Sequence, residues 1–297
     1  MKSPRPSVAA LLHGLGWSAG PTQIEIAPGI TLCSLEGSVV GRLYWTLCED
    51  TGVDDREPFT YHVYVRLDPT ETEAYLLDFG DPYSLVDRFS NVLAVLTGQP
   101  VSMCRVIWST DGFASATGTS LVYVSVRQTE FLQKTWPSMC AALAQDIAVA
   151  WRTQQAEWER KKSRGRLANA LVYFYYAWRS HYADQICLNL AIVLEILFAP
   201  HSYSETTHQI SFNVARFCGE SAADRERLYQ FVKEFYRVRS QIVHGGRPNE
   251  DKLIDAIIEA FPLVAGVLKR ILLDQSVADE FANDTRRQAM LKRFLFE

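Results

Sequence analysis

The stretch Arg239-Ser240-Gln241-Ile242-Val243-His244-Gly245-Gly246 closes an amphipathic helix and decides how the second half of the chain is read. Glycine takes the left-handed backbone conformation without steric cost, so the Gly245-Gly246 pair is a natural helix stop. Upstream, Leu228, Val232, Phe235 and Ile242 recur at helical spacing. At about 100° per residue, Arg239 falls within roughly 20° of Leu228, inside the apolar stripe rather than on the wet face. A guanidinium buried without a partner is costly, so something anionic must meet it there. Glu195 interrupts the apolar run of residues 184–198 and has the same problem with opposite sign. The two are expected to lie close, with Glu195 orienting Arg239.

His244 stands five residues beyond Arg239, about 140° around an ideal helix. The two converge if the helix breaks at the glycines or if two chains share one site. A histidine in a last turn also feels the negative end of the helix dipole, which favours its protonated form. Arginine is a permanent cation with a fork of donors suited to phosphate oxygens, and histidine exchanges a proton near neutral pH. Together they are the minimum equipment for cutting RNA without a metal.

Outward from this motif the pattern stays helical. Residues 167–180 are aromatic-rich, with Tyr173, Phe174, Tyr175, Tyr176 and Trp178. Residues 184–198 are apolar nearly all round, which predicts the central buried helix of a bundle, and Pro200 follows its end. A helix over 206–218 ends at Gly219, and Ser221 with Asp224 three residues on forms an approximate capping box for the next. Residues 249–273 form the last long helix, with a kink expected at Pro262. The tail from 275 turns apolar at Leu291, Phe294, Leu295 and Phe296, which are expected to pack on the body or on a partner.

The first 135 residues read as β-rich, with strands at 23–27, 39–48, 61–67, 73–79, 101–108 and 121–127. Turn signals at Pro28-Gly29, Gly80-Asp81-Pro82, Asp111-Gly112 and Thr117-Gly118 separate them. The alternation over 61–65 predicts one wet and one dry face. One helix over 83–96 interrupts the strands, its Leu85, Phe89, Val92 and Leu96 at helical spacing and Gly98 as its stop. A further helix over 139–158 runs into a basic stretch, Arg160, Lys161, Lys162, Arg164 and Arg166. That stretch is either a solvated linker or an RNA-backbone contact. The fold class is therefore α+β. A β-rich domain over 1–135 leads through a connecting helix and linker, 136–162, into an antiparallel helical bundle over 163–297.

The pattern resembles the HEPN superfamily, and within it the Apea-like HEPN domain. The residues that carry the resemblance are Arg239-x4-His244 at the end of the fourth bundle helix, the apolar second helix with Glu195, and Tyr236-Arg237-Val238 leading into the motif. It covers roughly residues 165–273. The resemblance implies a metal-independent endoribonuclease that acts as a homodimer through its helical bundle, with motifs from two subunits forming one cleft. His244 would help deprotonate the ribose 2′-hydroxyl, and Arg239 would hold the charge that develops on the phosphorane. Ser240 occupies a position where the family commonly has a small polar residue, and it supports the pair with Glu195. A role in bacterial anti-phage or stress defence follows by analogy of architecture, with the first domain as a sensor or substrate-selecting module of unknown ligand. Members controlled by tyrosine nucleotidylation carry a tyrosine two residues past the histidine. Here that residue is Gly246, so such control is not expected. The alternative is a non-catalytic HEPN-type dimerisation or RNA-binding module whose first domain binds the functional ligand.

The whole-chain balance bounds these readings. The chain has 297 residues, 48% hydrophobic and 22% charged, with a net charge of −4. That argues against a duplex binder relying on many phosphate contacts, but not against an enzyme gripping one or two. Six cysteines without a C-x-x-C pair read as buried thiols in a reducing cytoplasm. The apolar stretch 8–12 is interrupted by His13 and Gly14, so no secretory signal is expected. The run 186–198 is too short and polar to span a bilayer. The protein is expected in the cytoplasm, off the membrane, with RNA as substrate and with neither metal nor cofactor. His201 and His208 lack a completing acid or thiol for zinc, and Glu159-Arg160-Lys161 lies on a helix rather than the strand a metal nuclease needs. Tyr173–Tyr176 could stack bases, though aromatics on a bundle helix more often fill the core.

Overall fold

A computed structural model describes residues 7–17, 21–51, 62–68, 82–121, 138–159, 165–200 and 206–296. The chain divides into two compact units, one mainly of residues up to 148 and the other mainly from 149 onward.

The first unit is built on a six-stranded antiparallel sheet. Its strands are β1 (Ser7–His13), β3 (Gln23–Ala27), β4 (Ile30–Ser34), β5 (Val63–Leu67), β6 (Ser102–Ser109) and β7 (Gly118–Leu121). The spatial order is β3-β4-β5-β1-β6-β7, and β2 (Gly16–Trp17) pairs separately with β8 (Ser138–Met139). β1 is an inner strand, with Leu11 opposite Tyr64 on one side and Arg105 on the other. Its Val8–Leu12 segment is at most 4% exposed. A strand covered on both faces shows no alternation and reads as a plain apolar run. That is why the sequence did not mark it as a strand.

The strand expected at 39–48 is a helix, α1 (Val39–Thr51). Val40, Leu43 and Tyr44 lie three and four residues apart and so share one helical face. They pack against Ala9, Leu11, Cys33, Tyr64 and Ile107. The β-branched and aromatic residues that suggested a strand are there to cover the sheet, and burial overrides their propensity. Ser38 caps the helix, its Oγ accepting from Gly41 N at 2.9 Å. A side chain at Gly41 would put a Cβ 2.4 Å from the Leu35 carbonyl oxygen. The alternation over 61–65 also has a different meaning. Tyr64 is buried beneath α1 while Val63, Val65 and Leu67 are buried on the opposite face, so no face of β5 is wet.

α2 (Pro82–Thr97) falls where its spacing predicts, with Leu85, Phe89, Val92 and Leu96 buried and Gly98 at φ +66° ending it. The expected strand at 73–79, the part of 121–127 beyond Leu121, and Arg160, Lys161, Lys162 and Arg164 lie outside the described residues. α3 (Ala141–Glu159) follows β8.

The second unit contains α4 (Arg166–Arg179), α5 (Ala183–Phe198), α6 (Thr206–Cys218), α7 (Ala222–Val243), α8 (Glu250–Leu273), α9 (Gln275–Ala282) and α10 (Asp284–Arg293). α5 is its hub, touching α4, α6, α7 and α8. Its Leu190, Ala191, Val193, Leu194 and Leu197 are fully buried. Aromatic rings extend the core, Phe198 lying 5.4 Å from Phe217 and 5.8 Å from Phe281, centroid to centroid. α8 runs through Pro262 as one helix.

Two arginines hold the C-terminal end of α5. Arg287 is 0% exposed and donates to the Leu197 and Ala199 carbonyls at 3.0 and 2.8 Å, with Asp284 as its counter-ion at 2.9 Å. Arg166 pairs with the same Asp284 at 2.7 Å and donates to the Ile196 carbonyl. The last residue of the expected basic stretch is thus a structural clasp between α4, α5 and α10, not part of a solvated linker. Of the apolar tail, Leu291 joins the core, whereas Leu295 and Phe296 are 64% and 89% exposed. Among the described residues, no helix is long and apolar enough to cross a membrane.

Candidate functional site

The site begins with the caps of α7. Ser221 Oγ accepts from Asp224 N at 3.1 Å, and Asp224 accepts from Glu220 N at 3.3 Å, so the expected capping pair is in place one residue out of register. At the other end His244 is the C-cap residue, and Gly245 adopts φ +75°. Gly245 N donates to Ile242 O at 3.1 Å and Gly246 N to Gln241 O at 2.8 Å, which satisfies carbonyls the helix leaves open. A Cβ on Gly246 would stand 3.0 Å from that Gln241 oxygen. Both glycines therefore serve the stop.

Arg239 and Glu195 meet. Arg239 Nη2 lies 3.1 Å from Glu195 Oε1, each side chain 30% exposed. On α5, Cys187, Ala191 and Glu195 are spaced by four and form one stripe toward α7. Burial pushes the Glu195 carboxyl above its ordinary value, with the Arg239 charge opposing. Burial likewise pushes the Cys187 thiol up to about 12, again against Arg239. The buried Nε of Arg239 has no hydrogen-bond partner among the described residues.

Tyr236 is the residue that sequence reasoning undervalued. Its hydroxyl donates to the Ala191 carbonyl at 3.1 Å, a buried bond joining the two helices one turn below the ion pair. Burial, and then the Glu195 charge, push its phenol well above the ordinary value. The available signal was its spacing of three from Arg239 on the same stripe. An aromatic with a polar tip on a buried face needs a partner.

His244 and Ser240 are placed differently. α7 runs to Val243 with His244 as its C-cap residue, and ideal helical spacing over five residues turns two side chains about 140° apart around the axis. His244 is exposed, its backbone N–H bonded to the Ser240 carbonyl at 3.1 Å. Ser240 is half-buried, and its hydroxyl makes no hydrogen bond among the described residues. α7 therefore does not break between the two residues. Two cavities of the helical unit, about 460 and 680 Å³, are lined by neither Arg239 nor His244.

Of the two histidines considered for zinc, His201 lies outside the described residues and His208 Nδ1 sits 2.8 Å from Tyr229 Oη. Among the described residues no group of three or more His, Cys, Asp or Glu side chains could hold a metal ion. No family model, curated protein or solved structure matches the chain.

Proposed function

We propose that this chain is a metal-independent endoribonuclease of the HEPN type, acting in the cytoplasm as a homodimer. One observation carries the reading. A half-exposed arginine is held on a buried-edge carboxylate near the glycine-stopped end of a helix, five residues before an exposed histidine. A cation positioned by a partner is what a phosphodiester needs on its developing negative charge.

In this reading Arg239 of one protomer and His244 of the other face a single phosphodiester. His244 removes the ribose 2′-hydroxyl proton, and the freed oxygen attacks the adjacent phosphorus. Arg239 holds the phosphorane charge, and the 5′-oxygen leaves with the proton that His244 took up. The products are a 2′,3′-cyclic phosphate and a 5′-hydroxyl, with no water or metal consumed. Glu195 positions Arg239, and Ser240 is the small polar residue beside it. Positioned acid–base catalysis of this kind contributes roughly 10²–10⁴-fold. A place in anti-phage or stress defence rests on analogy of architecture.

One observation favours a second reading. Arg239 already has a counter-ion, and helical geometry turns His244 away from it in the same protomer. A bundle that dimerises or binds RNA without turnover, with the first unit binding the functional ligand, accommodates both facts.

The deciding experiment is cleavage of a mixed RNA pool in excess chelator by wild type, Arg239→Ala and His244→Ala, with end-group analysis of the products. The nuclease reading requires cyclic-phosphate ends from wild type and a loss of at least about 10²-fold in each variant. Equal cleavage by all three, or none by wild type, refutes it.

A further inference from the structure

The turn between α4 and α5 carries a second site that the nuclease reading does not use. A cavity of about 680 Å³ opens there, lined by Tyr175, Tyr176, Arg179, Tyr182, Gln185 and Asn189 among others. Its volume is within the roughly 300–1,000 Å³ of small-ligand pockets. Among the described residues that line it none is acidic.

Three features of the lining match the face of a base, its edge and a phosphate. Tyr176 and Tyr182 are 51% and 64% exposed, large aromatic faces left to solvent at one mouth. Edge-on and tilted contacts from Tyr173 and Tyr175, at 6.2 and 5.8 Å, brace the Tyr176 ring. Arg179 is braced too, its guanidinium 5.1 Å from the Tyr175 centroid and 5.9 Å from that of Trp178. Such a fork suits a phosphate. Gln185 and Asn189 are four apart on α5 and present their amides on one side of the helix. Ser180 Oγ donates to Gln185 Oε1 at 2.9 Å, which ties up the acceptor and leaves the amide N–H groups for a base edge.

Tyr182 supplies an independent argument. It occupies the N-cap position of α5 and makes no side-chain cap bond. Serine, threonine, aspartate or asparagine at an N-cap is commonly more stabilising by about 1 kcal/mol than a residue that cannot cap. An exposed aromatic kept at such a place, against the local folding preference, marks a functional surface.

We propose that this cavity binds a nucleotide, with the base against Tyr176 and Tyr182, its edge on Gln185 and Asn189, and the phosphate on Arg179. The site stands whether or not Arg239 and His244 cut RNA. If they do, it is where part of the strand is gripped. The nucleotide can belong to a strand or be a free mononucleotide, since the recognised chemistry is the same.

The test uses full-length protein and a fluorescein-labelled 2′-O-methyl oligonucleotide, which lacks the 2′-hydroxyl and cannot be cleaved by the proposed chemistry. Failure of the nuclease reading therefore leaves this measurement untouched. Anisotropy titrations compare wild type with Tyr176→Ala and with Tyr182→Ser, and AMP, GMP, CMP and UMP are added as competitors. Each variant is expected to bind about 5- to 100-fold more weakly, the loss of one base stacked on an aromatic ring. Tyr182→Ser restores a capping residue, so its melting temperature should not fall, which separates lost binding from lost folding. Displacement by a mononucleotide at comparable affinity assigns the site to free nucleotide. Resistance to displacement assigns it to a strand. No binding of either probe by wild type, or equal binding by all three proteins, overturns the proposal. So does a change in oligomer mass by light scattering in the variants, which would make the tyrosines an interface between copies.

Discussion

Replacing Glu195 with alanine removes the partner that holds Arg239, and the structure sets the size of the effect. Two unit charges about 4 Å apart attract by roughly 4 kcal/mol at the effective dielectric of a protein surface. Both side chains are 30% exposed, so each has given up much of its hydration. Because burial raises the Glu195 carboxyl despite the Arg239 charge, desolvation at Glu195 outweighs the attraction, and partial exposure screens the pair well below the gross figure. The coupling between the two residues is therefore expected at about 1–2 kcal/mol, above a surface pair and below a buried one. Glu195→Ala should cost about 2 kcal/mol, since it leaves a half-buried guanidinium unpaired, while Glu195→Gln, which keeps an acceptor, should cost about half that.

The assay is a double-mutant cycle of Glu195→Ala and Arg239→Ala, followed by urea unfolding under far-ultraviolet circular dichroism. A coupling under about 0.3 kcal/mol is indistinguishable from additivity, and it would refute the idea that Glu195 positions Arg239. The pH dependence has a definite sign. A carboxyl raised by folding contributes fully in acid, below its ordinary value, and that contribution is lost as pH rises through the raised one. Wild type should thus compare best with Glu195→Gln in acid and lose ground toward neutral pH.

Three further outcomes follow from the same coordinates. Arg287→Leu should destabilise the chain by about 3 kcal/mol, read as a lowered urea midpoint, because it strands the Leu197 and Ala199 carbonyls and leaves Asp284 with Arg166 alone. Gly245→Ala forces an L side chain to φ +75° and should cost about 1 kcal/mol, with faster amide exchange confined to the last turn of α7. Of Cys33, Cys140, Cys187 and Cys218, iodoacetamide at mildly alkaline pH should modify Cys140 first. That thiol is exposed, whereas burial holds Cys187 and Cys218 at about 12; peptide mass mapping reads the order.

How legible the chain was depended on the range of the interactions involved. The ends of α7 could be read directly, because Ser221, Asp224 and Gly245 act on backbone groups within a turn of themselves. The pairing of Glu195 with Arg239 was also within reach, since two opposite charges on two apolar helix faces have few other places to go. Tyr236 was harder. Its hydroxyl meets the Ala191 carbonyl, a group every residue carries, so nothing in the sequence singles that partner out. Arg166 looked like the end of a basic linker because its partner, Asp284, is far along the chain.

By itself the sequence settled the helix over 83–96, the run of helices from 139 to 273, the caps of α7, and the change from strand-rich to helical character along the chain. These depend on periodicity and turn chemistry, which are local. Tertiary structure decided that Val8–Leu12 is an inner strand and that residues 39–51 form a helix over the sheet. In both cases the apolar residues are satisfied by covering layers from distant parts of the chain. It also decided that α7 runs to Val243 and leaves His244 as an exposed C-cap residue, because where a helix stops depends on what packs beside its last turn.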